Sequence, residues 1–236
     1  MAHYVIILAA GNGSRVKKSA IPKQFLKLNN LPIVMHSMNA FANYKTNTKC
    51  YIGLPANYTK IWSELCIKHK FNINHCIFEG GNERANTVFK GLECIKKQNK
   101  INDSDIVFIH DAARPFISQK LISIVLESTK QNNSAIPVIK LKNALKKSHS
   151  HRDRGEYRIA QTPQCFRFNE IFNAYTHIIN SKMTNMNLYQ DDAHIYESFN
   201  KKPNLVNGEE HNIKITTDQD YFISEKLYEF YKKFND

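Results

Sequence analysis

No run in this 236-residue chain approaches the roughly 20 consecutive apolar residues that cross a bilayer, which argues against a membrane-spanning helix. The five cysteines (Cys50, Cys66, Cys76, Cys94 and Cys165) are odd in number and scattered, with no C-x-x-C pair. They read as reduced, structural thiols and not as a disulfide frame or a zinc site. Acidic residues are in deficit. Against 33 Lys and Arg stand 21 Asp and Glu, a formal charge of +12 that favours anionic partners without naming the kind. Nucleic acid, acidic lipid and phosphorylated metabolites all fit. The apolar start, Tyr4 to Ala10, is too short for a secretory h-region, lacks a basic n-region and runs into a glycine loop. It is expected to be a buried strand, in a cytoplasmic protein.

What is present is alternation. Short β-rich runs at Tyr4–Ala10, Cys50–Leu54, His75–Glu79, Asp105–His110 and Ser134–Ile139 are separated by stretches of helical spacing, such as Ala85, Val88, Phe89, Leu92 and Ile95. This order predicts βαβ units: an α/β, Rossmann-like, mostly parallel sheet with helices on both faces. Such sheets take ligands beyond the carboxyl ends of their strands. Near the end, Thr217 and Asp220 form a capping-box variant, and Ile223, Leu227, Phe230, Tyr231 and Phe234 form an apolar stripe expected to pack on the sheet. Lys140 to Glu156 is basic and polar with neither period. It predicts one domain over residues 1–236 with residues 138–160 as a protruding β-arm.

The candidate sites fall at strand exits. "ILAAGNGSRVKKSAIPKQ" is neither a Walker A motif nor the dinucleotide fingerprint, since Val16 stands in the third glycine's place. Gly11 and Gly13 let backbone N–H groups approach a phosphate, Arg15 can fork onto its oxygens and Lys23 can place a point charge. "GGNERANTVFKGL" puts Gly81 and Thr87 at a helix start, where anions are favoured; a capped turn with no ligand is an equal reading of that segment alone. Arg84 is open between bracing the loop and touching a ligand. Asp111, following a buried run, is well sited to hold Mg²⁺ against phosphates, or else forms an Asx turn. His110 reads as structural. Thr162, Arg154 and Lys214, the last in an expected short strand, are unremarkable singly.

Together, "LAAGNGSR…PKQ", "GGNERANTV", "HDAARP", "QTPQ" and "NIKITTDQD" resemble the 2-C-methyl-D-erythritol 4-phosphate cytidylyltransferase family, in the same order from Ile6 onward. The resemblance implies a β-arm embracing a second copy in a homodimer. It also implies a reaction in which the phosphate of methylerythritol phosphate attacks the α-phosphorus of CTP in non-mevalonate isoprenoid synthesis. By that resemblance, Ala10, Gly11, Gly13, Gly81 and Thr87 lie around the nucleotide. Arg15 and Lys23 stabilise the transition state, Asp111 holds Mg²⁺, and Arg154, Thr162 and Lys214 place the attacking phosphate, Arg154 in the neighbouring subunit's site. Positioning and charge suffice, because a phosphate dianion needs no protein base.

Three departures from the family pattern stand out. The arm reads Asn143-Ala144 where "DT" is usual, Gln190 replaces a threonine in "QDDA", and the gap from Arg15 to Lys23 is one residue longer than usual. The first two bear on the acceptor and keep another polyol phosphate, such as ribitol 5-phosphate, as an alternative. A nucleic-acid-binding module is the alternative of a different class. Against it, the cations map to strand exits, and no RNA-binding aromatic motif or helix-turn-helix pattern appears.

Overall fold

The computed structural model describes residues 1–11, 21–44, 47–147, 150–181 and 188–235. β1 (His3–Leu8) opens the chain, and a hairpin of β2 (Lys27–Leu28) and β3 (Leu31–Pro32) follows, turned by Asn29 and Asn30 at positive φ. Next come α1 (Ile33–Ala42), β4 (Thr48–Leu54), α2 (Thr59–Lys68), β5 (His75–Glu79), α3 (Arg84–Gln98), β6 (Ile106–Asp111), α4 (Gln119–Asn132) and β7 (Ser134–Lys140). The later third holds β8 (Leu145–Lys147), β9 (Ser150–Arg152), β10 (Arg158–Ala160), β11 (Gln164–Arg167), α5 (Phe168–Asn180), α6 (Asp192–Ser198), β12 (Leu205–Asn207) and α7 (Asp218–Asn235).

The main sheet runs β10-β7-β11-β6-β1-β4-β5, with β12 also on β7. β6, β1, β4 and β5 are parallel; β11 enters antiparallel between β6 and β7. Alternation along β1 shows why both faces must be covered. Val5 and Ile7 pack under α1, α2 and α4, whereas Tyr4 and Ile6 pack under α3, α5 and α6. The chain extends outward from β1 through β4 to β5, then crosses back to β6 on the other side of β1. That reversal sets a crevice at the carboxyl end of β1.

Two expectations about the last segment need correction. Lys214 is not in a strand: residues 212–216 pair with no ladder, although Ile215 N donates to Ala113 O at 2.9 Å. The capping box on α7 is present, with Asp220 N donating to Thr217 Oγ1 and Thr217 N donating to Asp220 Oδ2. The buried face of α7, however, is Tyr221, Ser224, Leu227, Tyr228 and Tyr231, packed on Leu28, Ile33, Phe116 and Ile215; Ile223 and Phe230 are about half exposed. Helical spacing alone cannot choose between two stripes that are both apolar. Strand β2 of the hairpin and the start of α1 chose, not the main sheet.

Between β7 and β10, both in the main sheet, β8 and β9 form a separate two-stranded hairpin. All five thiols are free, with burial pushing Cys50 and Cys165 up to about 12.

Candidate active site

The exits of β1, β5 and β6 open on one cleft of about 370 Å³. Of the sequence-predicted residues it brings together Ala10, Gly11, Lys23, Gly81, Thr87, Asp111 and Lys214. Gly13 and Arg15 lie outside the described residues, as does the side chain of Arg154, whose backbone sits in a single 3-10 turn.

Each wall has a local cause. Pro22 fixes the entry to a 3-10 turn at Lys23–Phe25, which swings Gln24 inward. Gln24 is 3% exposed, and its Nε2 donates to Ala9 O at 2.6 Å and Gly11 O at 3.0 Å, pinning both ends of the β1 exit. Sequence reasoning quoted this glutamine but gave it no role.

At the β5 exit, Gly80 N continues the ladder by donating to Leu54 O. A Cβ on Gly80 would stand 2.3 Å from Ala10 Cβ, so the two exits touch here only because a side chain is missing. Gly81 N donates to Thr87 Oγ1 at 3.0 Å, and that hydroxyl lies 3.1 Å from Glu83 O as a donor. Thr87 thus braces the turn from inside and contributes to the cleft wall.

Asp111 ends β6 at the floor. Its Oδ2 lies 2.9 Å from Lys214 Nζ and 3.6 Å from Arg114 Nε, and its Oδ1 lies 3.6 Å from Arg84 Nε. Burial alone would raise this carboxyl, but Lys214, then Arg84 and Arg114, hold it far below the usual carboxylate range. Lys214 is delivered by a braced segment. Arg114 donates to Asn212 O, Gln161 donates to Glu209 O, and Asn212 Nδ2 donates to Thr162 O. This is what "HDAARP", "QTPQ" and "NIKITT" share: the first two motifs hold the third in place.

Thr162 itself does not reach the cleft. It is buried, its hydroxyl accepting from Asp111 N at 3.1 Å. His110 Nε2 is 3.0 Å from Arg114 O, so that nitrogen carries the proton, and Nδ1 accepts from Thr162 Oγ1 at 3.2 Å. Burial drives His110 down to about 4, which keeps it neutral and supports its structural reading.

Sequence reasoning also missed Asp192. Arg84 NH1 and NH2 donate to its two carboxylate oxygens at 3.0 and 2.6 Å, and Tyr175 donates to Oδ1 at 2.5 Å. The "QDDA" motif was the available signal. Asp191 caps α6 through His194 N and receives Gln164 Nε2, and Asp192 then faces inward with no exposure.

Among the described residues no three His, Cys, Asp or Glu side chains cluster as a metal cage. One buried carboxylate beside room for phosphates nonetheless suits Mg²⁺, which takes one or two carboxylates and completes its shell with phosphate and water oxygens. No Cys, Ser or His lines the cleft among the described residues. Lys23, Lys214 and Arg84 beside Asp111 can hold and orient a polyphosphate.

The family model of 2-C-methyl-D-erythritol 4-phosphate cytidylyltransferase matches residues 3–229. A protein of that name from Azobacteroides pseudotrichonymphae genomovar. CFP2 is 34% identical over 229 residues, covering 95% of this chain and 97% of its own. Another from Clostridium botulinum (strain Loch Maree / Type A3) is 34% identical over 233 residues, covering 95% and 96%. Among solved structures, the Francisella tularensis 2-C-methyl-D-erythritol 4-phosphate cytidylyltransferase superposes with a TM-score of 0.79 at 28% identity, over 96% of this chain and 100% of that one. The Thermus thermophilus protein of the same name gives 0.77 at 25% identity, over 97% and 100%.

Proposed function

The chain belongs to the 2-C-methyl-D-erythritol 4-phosphate cytidylyltransferase family, and on that premise we propose that it transfers the cytidylyl group of CTP to 2-C-methyl-D-erythritol 4-phosphate. An oxygen of the acceptor phosphate bonds to the α-phosphorus, the bond from that phosphorus to the bridging oxygen breaks, and pyrophosphate leaves. The product is 4-diphosphocytidyl-2-C-methyl-D-erythritol. The observation that carries the reading is the convergence of Ala10, Gly11, Lys23, Gly81, Thr87, Asp111 and Lys214 on one cleft.

Roles follow from position. The glycine exits of β1 and β5 leave space for the cytidine. Lys23, with Arg15, holds the triphosphate and stabilises charge as pyrophosphate departs. Lys214 and Arg154 orient the acceptor phosphate, and Thr162 fixes the Asp111 backbone. Asp111 would hold Mg²⁺, whose contribution when bound is to neutralise phosphate oxygens. The enzyme is read as a cytoplasmic homodimer joined through the arm; exposed Tyr157, Ile159 and Leu205 near the base of the arm support that. No described helix is long and apolar enough to cross a membrane.

The test is pyrophosphate release with Mg²⁺ and CTP, comparing methylerythritol phosphate and ribitol 5-phosphate. Turnover with the first supports the proposal. Turnover with the second alone would reassign the acceptor and make Ala144 and Gln190 its markers.

A further inference from the structure

Arg84 stands between two carboxylates, and the way it divides itself is specific. Its forked end, NH1 and NH2, is taken by Asp192 at 3.0 and 2.6 Å, whereas only Nε addresses Asp111, at 3.6 Å and outside hydrogen-bond reach. Asp192 has no exposure and receives a third bond from the buried Tyr175 hydroxyl. A buried carboxylate with three donors on two oxygens is a rigid anchor.

An arginine fork next to a single carboxylate closes on it bidentately wherever geometry allows. Were the fork free, Asp111 is the carboxylate within reach. A bidentate Arg84–Asp111 pair would cover Oδ1, the oxygen that Lys214 and Arg114 leave open. Asp192 prevents that closure.

We propose that Asp192 is a positioning residue for cytidylyl transfer: by holding the Arg84 fork it keeps one oxygen of Asp111 available to the divalent cation that accompanies the nucleotide. This deepens the functional reading above and rests on it for the identity of the nucleotide. The motif "QDDA" thereby acquires a task. Asp191 starts α6, and Asp192, one residue on, restrains the arginine that begins α3 on the same face of the sheet.

The test uses full-length protein and Mn²⁺ as the probe, its binding in the presence of CTP read by electron paramagnetic resonance. Asp192→Asn keeps size and removes charge; it is expected to weaken Mn²⁺ binding about tenfold, as loss of a partner behind a metal ligand does. Asp192→Asn combined with Arg84→Gln removes the fork as well and should return to within about threefold of the parent, the signature of a coupled pair. Tyr175→Phe should lower the melting temperature yet leave Mn²⁺ binding unchanged, since Asp192 retains the fork. Parental Mn²⁺ binding in folded Asp192→Asn overturns the proposal. So does a double variant as weak as the single, a Tyr175→Phe protein as weak as Asp192→Asn, or a parent that binds no Mn²⁺ with CTP. If Asp192→Asn does not fold, the double variant decides, because removing both members of a buried pair is commonly tolerated. A parent that binds Mn²⁺ and CTP but releases no pyrophosphate with methylerythritol phosphate would sink the functional reading and leave this one standing.

Discussion

Lys214 Nζ lies 2.9 Å from Asp111 Oδ2, so the last segment of the chain places its cation on the carboxylate that ends β6. The pair is part of the cleft floor, and Lys214 is about one third exposed, free to follow an incoming phosphate. Lys214→Met is therefore expected to lower turnover about 100-fold, roughly 3 kcal/mol of transition-state stabilisation, and to lower the melting temperature as well, because buried Asp111 loses its nearest cation. Steady-state pyrophosphate release and circular dichroism check this; a kcat within threefold of the parent removes Lys214 from the reaction.

Lys23 and Arg15 both belong to the opening sequence motif and are read as triphosphate cations. Lys23→Ala and Arg15→Ala should each reduce kcat about 100-fold or more while the protein stays folded. A rise in the KM for CTP with kcat intact would reassign either residue to ground-state binding.

His110 predicts a pH dependence of stability with a definite sign. Burial first of all holds it neutral down to about pH 4, whereas in the unfolded chain it titrates near ~6.5. The unfolded state takes the proton first, so stability is fully present above about 6.5 and is lost as pH falls through about 4. Between pH 7 and 4.5 the loss from this residue is about 2–3 kcal/mol. Urea unfolding at both pH values measures it, and His110→Gln should flatten the difference. An equally steep variant would assign the slope to other groups.

Gly80→Ala tests the contact between strand exits. Its new Cβ meets Ala10 Cβ at 2.3 Å, which forces a shift costing about 1–3 kcal/mol and raises the KM for CTP. Ala10→Gly in the same chain should recover most of both. Failure of the pair to recover would mean the strain lies elsewhere in the turn.

The sequence predicted the parallel core well, because β1, β4, β5, β6 and β7 are long enough for an apolar run to register and each precedes or follows a helical period. Strands of two to four residues, such as β10, β11 and β12, give no period to read. The face of α7 was misread because Phe222, Ile223 and Phe230 are as apolar as the residues that are buried, and only tertiary neighbours separate them. Residues singled out by type alone, Asp111, Lys23 and Lys214, do line the cleft. Those that act through a partner were not legible: Gln24 works on two carbonyls, and Asp192 meets Arg84 across 108 positions of sequence. Thr162 was legible as a polar residue, but its engagement with His110 and the Asp111 backbone was not.

The placement of Lys214 beyond every strand of the sheet has a consequence in time. During synthesis the interior of the sheet is complete once β11, ending at Arg167, has emerged; Lys214 follows roughly 50 residues later. At about 5–20 residues per second that is a delay of seconds. Even when α5 and α6, the latter ending at Ser198, have covered the second face of the sheet, the nascent chain still lacks the lysine that completes the cleft. Competence therefore arrives after shape, and surveillance that recognises only exposed apolar surface would pass copies that cannot yet work.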